Sequence, residues 1–229
     1  GGGGARGLLL GADLIACLMF LMGGRITAAA TSGAIQRQGE RLRNPAQAGL
    51  EWYGLMALVG MAGGQLAGLP AVAGAGAAVA ALVVFWRLAR WKVWKIVSRP
   101  EVFCLHLGFV WLGLGLLARA ATGLIDAPLY FVAIHGVTVG ALGTFSIAIM
   151  TRTSQQRARI SVRLPKAIVG ALFLITLAAG ARLAVDLRAV PPEFILVSAG
   201  AWSAAFAVFL GQFGAIVRMG RPHPPGQHS

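Results

Sequence analysis

Two histidines, His106 and His135, stand inside long apolar runs. A titratable side chain in such surroundings is expensive to keep, so it marks a functional position by default. Imidazole is also the commonest protein ligand for haem iron and copper. The competing role is a neutral imidazole that hydrogen-bonds a neighbouring helix and glues the two together. His135 opens the segment His135-Gly136-Val137-Thr138-Val139-Gly140-Ala141-Leu142-Gly143-Thr144. At about 100° per residue, Thr138, Val139, Leu142 and Ser146 share its face, and Gly136, Gly140 and Gly143 line an adjoining groove. A partner helix or a flat macrocycle fits against such a groove. His106 shares a face with Val110, Gly113 and Leu117, while Cys104 points about 200° away, which separates it from any site built on His106.

The remaining reactive groups are sparser. Asp13 interrupts the first apolar run with Arg6 on roughly the same face, a spacing that suits a snorkelling ion pair or, alternatively, a proton relay. Met19, Met22, Met56 and Met61 are soft enough for copper(I) but are also ordinary interhelical filler. Cys17 and Cys104 are far apart in sequence. His223 and His228 belong to a Pro-rich tail over 218–229. The sequence contains no phosphate-cradling loop, no H-E-x-x-H metalloprotease signature and no nucleophile with a base at a suitable spacing.

These side chains need elements to hold them, and composition says which. Of 229 residues, 57% are hydrophobic and 12% charged, where a soluble domain has roughly 45–50% and about 25%. The mean hydropathy is +0.75. A soluble enzyme, a disordered tail and a disulfide scaffold are excluded, the last because two cysteines cannot staple such a chain. The fold class is all-α: a polytopic transmembrane helix bundle filling residues 1–217. Spans of about 20 apolar residues are expected near 7–23, 50–69, 71–87, 101–123, 128–150, 166–187 and 194–217. Gly68-Leu69-Pro70 divides the second from the third. Glycines such as Gly60, Gly63, Gly64 and Gly68 are expected to let helix backbones approach closely.

The net charge of +13 is unevenly placed. Arg25, Arg37, Arg41 and Arg43 fall in one expected loop over 24–49. Further basic runs occupy 87–100, 151–166 and the tail. All of these lie on one side of a seven-span bundle, so the basic loops and the C-terminus are expected in the cytoplasm. The charge is therefore a topology signal, not a nucleic-acid footprint, and nucleic acid is not an expected partner. Trp86, Trp91 and Trp94 beside Lys92 and Lys95 suit a headgroup anchor. Helix rise then places His106 and His135 roughly 12 Å apart in depth, too far for one shared iron.

In order, the chain shows Leu105-His106-Leu107-Gly108-Phe109-Val110-Trp111-Leu112-Gly113-Leu114-Gly115-Leu116-Leu117, then the His135–Thr144 segment, then Met150-Thr151-Arg152. This series resembles the NnrS family of bacterial membrane proteins, with its H-L-G-(aromatic)-x-W-L-x-L-G-L-L, H-A-L-T-V-G-A-I-G-T and M-T-R motifs. Met22-Gly23-Gly24-Arg25 resembles the family's G-G-R turn. The resemblance runs from about Gly23 to Arg152. It implies a multi-span protein of the bacterial inner membrane, usually with about twelve helices, that holds haem and copper and is linked to nitric-oxide stress and denitrification. No defined reaction is attached to the family. By the same resemblance, His106 and His135 match family histidines and become candidate cofactor and metal ligands.

Three departures accompany the match. Thr153-Ser154-Gln155-Gln156-Arg157 replaces a family G-H-T-G-R stretch, so a histidine is missing. Ile26-Thr27-Ala28-Ala29-Ala30 follows the G-G-R motif where proline and aromatics are usual. The family's N-terminal half, with its own histidine-rich helix, has no counterpart. The chain is thus expected to be a C-terminal portion that alone binds haem weakly. The implied partners are the lipid bilayer and nitric oxide or a derived species. Two other readings fit the same residues: a proton-coupled transporter or channel module using Asp13 and the histidines, and a metal-free membrane scaffold.

Overall fold

The computed structural model describes residues 2–219, and every regular element among them is helical. α1 (Gly2–Leu18) passes through a π-helical turn (Met19–Gly23) into α2 (Gly24–Gln36) as one continuous rod. α3 (Ala48–Leu66) and α4 (Pro70–Arg90) follow as a hairpin, then α5 (Pro100–Leu124). A second composite rod joins α6 (Tyr130–His135), a π-helical segment (Gly136–Leu142) and α7 (Gly143–Arg157). α8 (Lys166–Asp186) and α9 (Phe194–Met219) complete the described bundle. Pro70 and Pro100 each start a helix at a position where the missing N–H costs nothing. Residues 220–229, including His223 and His228, lie outside the described residues.

Six of these rods are long and apolar enough to cross a membrane. The other rod, α3, is 19 residues long and carries Glu51 and Gln65. The bundle is all-α and polytopic, as composition requires. The divide at Pro70 is present: Gly68 sits at φ +70°, a conformation that side chains disfavour, and turns the chain between α3 and α4.

The first rod overturns one expectation. The sequence reading ends the first span near residue 23 and places a turn at Gly23-Gly24-Arg25. In the structure Gly23 and Gly24 are both helical, at φ near −60°, and the rod continues to Gln36. The glycines serve packing rather than turning. A Cβ on Gly23 would lie 3.1 Å from the Phe145 ring, and one on Gly24 would lie 3.0 Å from the Arg87 guanidinium. The segment Gly7–Gln36 spans 30 residues, about 45 Å at helical rise against a hydrocarbon core of about 30 Å. The basic loop thus shrinks to the stretch between Gln36 and Ala48.

Core packing depends on backbone contact between helices. A Cβ on Gly123 of α5 would fall 2.5 Å from the Pro70 carbonyl and 2.7 Å from the Gly74 Cα of α4. A Cβ on Gly136 would fall 2.9 Å from the Gly115 Cα, so the π-helical segment also lies directly on α5. Gly60 and Gly63 have open space beside them and take no part in helix contacts, contrary to expectation. The core itself is aromatic and aliphatic, with Phe20, Trp91, Phe109, Phe145 and Leu112 all buried.

Candidate functional site

His135 is the last residue of α6, immediately before the π-helical segment. Inserting a π-turn breaks the 3.6-residue register, a feature often found at functional positions. Its Nδ1 lies 2.6 Å from Oδ2 of Asp186, at the end of α8. A carboxylate only accepts, so Nδ1 carries the proton and donates it to Asp186. Arg182 Nε is 3.2 Å from the same ring nitrogen, but a protonated nitrogen has no lone pair for it. The short charge-assisted bond to Asp186 prevails, and Arg182 instead supplies charge to Asp186 Oδ1 at 3.6 Å. Phe131 stacks beside the ring at 6.1 Å and 16°.

That arrangement leaves Nε2 of His135 as an unprotonated donor with no partner among the described residues. The side chain is 19% exposed and lines a cavity of about 240 Å³ with Val139, Arg182, Ser198, Trp202 and Ser203. A histidine that hands its other ring N–H to a carboxylate is what a metal-ligating imidazole looks like. The fit to haem or copper is nonetheless partial. Among the described residues no group of three His, Cys, Asp or Glu side chains is placed to hold an ion. The cavity is also smaller than the roughly 300–1,000 Å³ of sites for drug-sized ligands. The residues present fit one ligand position, not a closed centre or a macrocycle pocket.

His106 is differently placed. It is fully buried in α5, edge-on to Trp91 at 5.6 Å. Its Nδ1 donates to the Val102 carbonyl at 3.1 Å, which leaves Nε2 to accept the Thr31 hydroxyl of α2 at 3.4 Å. Both nitrogens are engaged, and the ring ties α5 to the first rod. His106 and His135 share none of these partners. The glycine groove beside His135 is filled by the protein itself. A Cβ on Gly140 would meet the Trp111 ring at 2.7 Å, and one on Gly143 would meet Ile175 at 3.2 Å. No macrocycle has room there.

Two buried cations were not foreseen as interior groups. Arg119 is buried in α5 with its Nε 3.3 Å from Asp13 Oδ1. Its Nη2 donates to Gln65 Oε1 at 2.7 Å. Asp13 therefore pairs with Arg119; the side chain of Arg6 lies outside the described residues. Arg87, expected in a solvated basic loop, is 0% exposed. Phe20, Trp91 and Phe109 surround its guanidinium at 4.9, 5.0 and 5.9 Å, and Glu51 stands 3.7 Å away. Trp91 is likewise core rather than anchor, donating from Nε1 to the Pro45 carbonyl at 2.9 Å. Trp86 and Trp94 are exposed, as a headgroup anchor requires. For Arg119 the signal was a lone arginine interrupting an apolar run; Arg87 opens a basic run and carried no such signal.

Of the four candidate methionines, Met61 is buried and Met19 half-buried, while Met22 and Met56 are exposed. Cys17 and Cys104 are free thiols.

Fold and side chains together define a multi-pass α-helical membrane protein with a carboxylate-backed histidine beside a small cavity. The model of the NnrS protein family matches residues 2–221, and the chain belongs to that family. The match extends past the motif-bearing stretch through α8 and α9. No curated protein and no solved structure matches the chain.

Proposed function

We propose that this chain acts as an NnrS-like haem- or copper-associated protein of the bacterial inner membrane, in the response to nitric oxide or in denitrification-related metabolism. Its basic loops face the cytoplasm. The observation that carries the proposal is the His135–Asp186 bond, which fixes the tautomer and leaves Nε2 free at the edge of a cavity. Asp186 orients the ring, and Arg182 stands beside Asp186 at 3.6 Å. Bound iron or copper would supply an open coordination position for a small ligand such as nitric oxide. Further ligands have to come from outside the cluster described here. His106, with both nitrogens in use, acts as an interhelical tie.

In the transporter reading Asp13 would have to give up the ion pair that its Oδ1 makes with Arg119. Visible spectra and metal analysis of protein purified from cells supplied with haem and copper separate the readings. A Soret band or bound copper, below full occupancy, is expected. A colourless, metal-free sample under those conditions would favour a scaffold.

A further inference from the structure

A cavity of about 910 Å³ opens between the first rod and α3, remote from His135. Its size is that of a site for a sizeable organic ligand. One wall is a single face of the first rod, on which Leu21, Arg25, Ala28, Ser32 and Gln36 recur at helical spacing. Glu51, Trp52 and Leu55 of α3 face it. Polarity is graded along its length. Leu21 and Leu55 form one end, small side chains leave room in the middle, and Gln36 and Pro45 form the other end. Leu18, Met22, Trp52 and Met56 flank the apolar end and are all exposed, so that end opens onto the surface that meets acyl chains.

The charge balance is unequal. Glu51 is shared by two arginines, with Oε1 3.5 Å from Arg25 and Oε2 3.7 Å from Arg87. Arg87 has no hydrogen-bond partner for Nε or Nη1. Arg37 adds a third cation, its Nη1 only 3.7 Å from where a Cβ on Gly33 of the same wall would lie. The nearest other carboxylate in the adjoining loop, Glu40, is held by Lys95 at 2.6 Å. Two arginines thus share one carboxylate, and a third cation reaches the same wall, beside a cavity with an apolar end. The complementary molecule has one negative headgroup on an apolar tail.

We propose that this cavity binds one anionic phospholipid. Its phosphate sits against Arg25, its headgroup extends toward Ser32, and its acyl chain follows Leu21, Trp52 and Leu55. The Arg25–Glu51 contact, long and with Arg25 73% exposed, yields readily to a phosphate. The proposal is independent of any metal.

Native mass spectrometry of the delipidated full chain in detergent tests it, with phosphatidylglycerol, phosphatidylcholine of the same tails, and inorganic phosphate as probes. One phosphatidylglycerol should be retained in preference to phosphatidylcholine by about fivefold, the contribution of a basic side chain at a lipid surface. Arg25→Gln should erase the preference, whereas Arg188→Gln, an exposed arginine at the far end of α8, should leave it intact. Ser32→Trp, which fills the cavity, should displace the lipid altogether. Equal retention of the two lipids by the wild type, or an undiminished preference in Arg25→Gln, would overturn the proposal. So would displacement of phosphatidylglycerol by inorganic phosphate, which would identify a free-anion site.

Discussion

At the scale of single residues, the bundle uses its few polar groups in pairs, and each pair makes a distinct demand. Asp186 neither lines the cavity nor offers a ligand of its own, yet it fixes the tautomer of His135. Loss of such an outer partner typically lowers metal affinity about 10–100-fold. Asp186→Asn is therefore expected to weaken haem or copper retention by that order while the protein still folds, as read by metal titration alongside circular dichroism. Asp13 makes a different demand. Removing one member of a buried ion pair strands the other, at a cost of about 3–5 kcal/mol. Asp13→Ala should lower the thermal midpoint in detergent markedly, and adding Arg119→Met should recover much of the loss. A double variant no better than the single one would show that the pair is not coupled. Asp13, His106 and His135 stand out in the sequence because each breaks an apolar run. Their partners do not, since pairing Asp13 with Arg119 requires knowing that side chains of α1 and α5 meet in the bundle. Helical periodicity is silent on that.

At the scale of elements, contacts between glycines set how close the rods lie. Gly123→Ala places a methyl group against the Pro70 carbonyl, 2.5 Å away, and overpacking of this kind costs about 1–3 kcal/mol. A fall in the melting midpoint checks it, with Gly60→Ala, which meets open space, as the neutral comparison. The loops follow their own rule. The hydrogen bond and charge of Lys95 hold the Glu40 carboxyl below its ordinary value of 4.5. The folded carboxylate is the favoured form, so this tether is complete above the unfolded value and lost as pH falls through the lowered one. Hydrogen exchange in the stretch after Gln36 should rise over that acid range in the wild type, and Lys95→Met should abolish the step. Apart from α2, which hydropathy left in a loop, the helices and the Pro70 divide were legible from hydropathy and proline placement. The π-helical turns at Met19–Gly23 and Gly136–Leu142 were not. They arise where glycines let Phe145, Arg87 and α5 press in, and that is a tertiary cause.

At the scale of the whole molecule, charge placement and the histidine site give two separate tests. If the basic loops face the cytoplasm, as proposed, a reporter fused after Arg163 should sit in the cytoplasm and one near Asp126 outside it; the same side for both would break the span assignment. Family membership and the membrane bundle were both legible in the motif order and the hydropathy. Which histidine faces open space was not, because both motifs carry the same residue and only tertiary packing tells them apart. His106 is locked between Val102 and Thr31, whereas His135 is backed by Asp186 and opens on a cavity. The decisive measurement compares haem and copper per mole of folded protein in wild type, His135→Ala and His106→Ala, expressed together with both cofactors supplied. Metal lost in His135→Ala and kept by the folded fraction of His106→Ala is the result predicted. Equal loading of wild type and His135→Ala, or loss confined to His106→Ala, would contradict it.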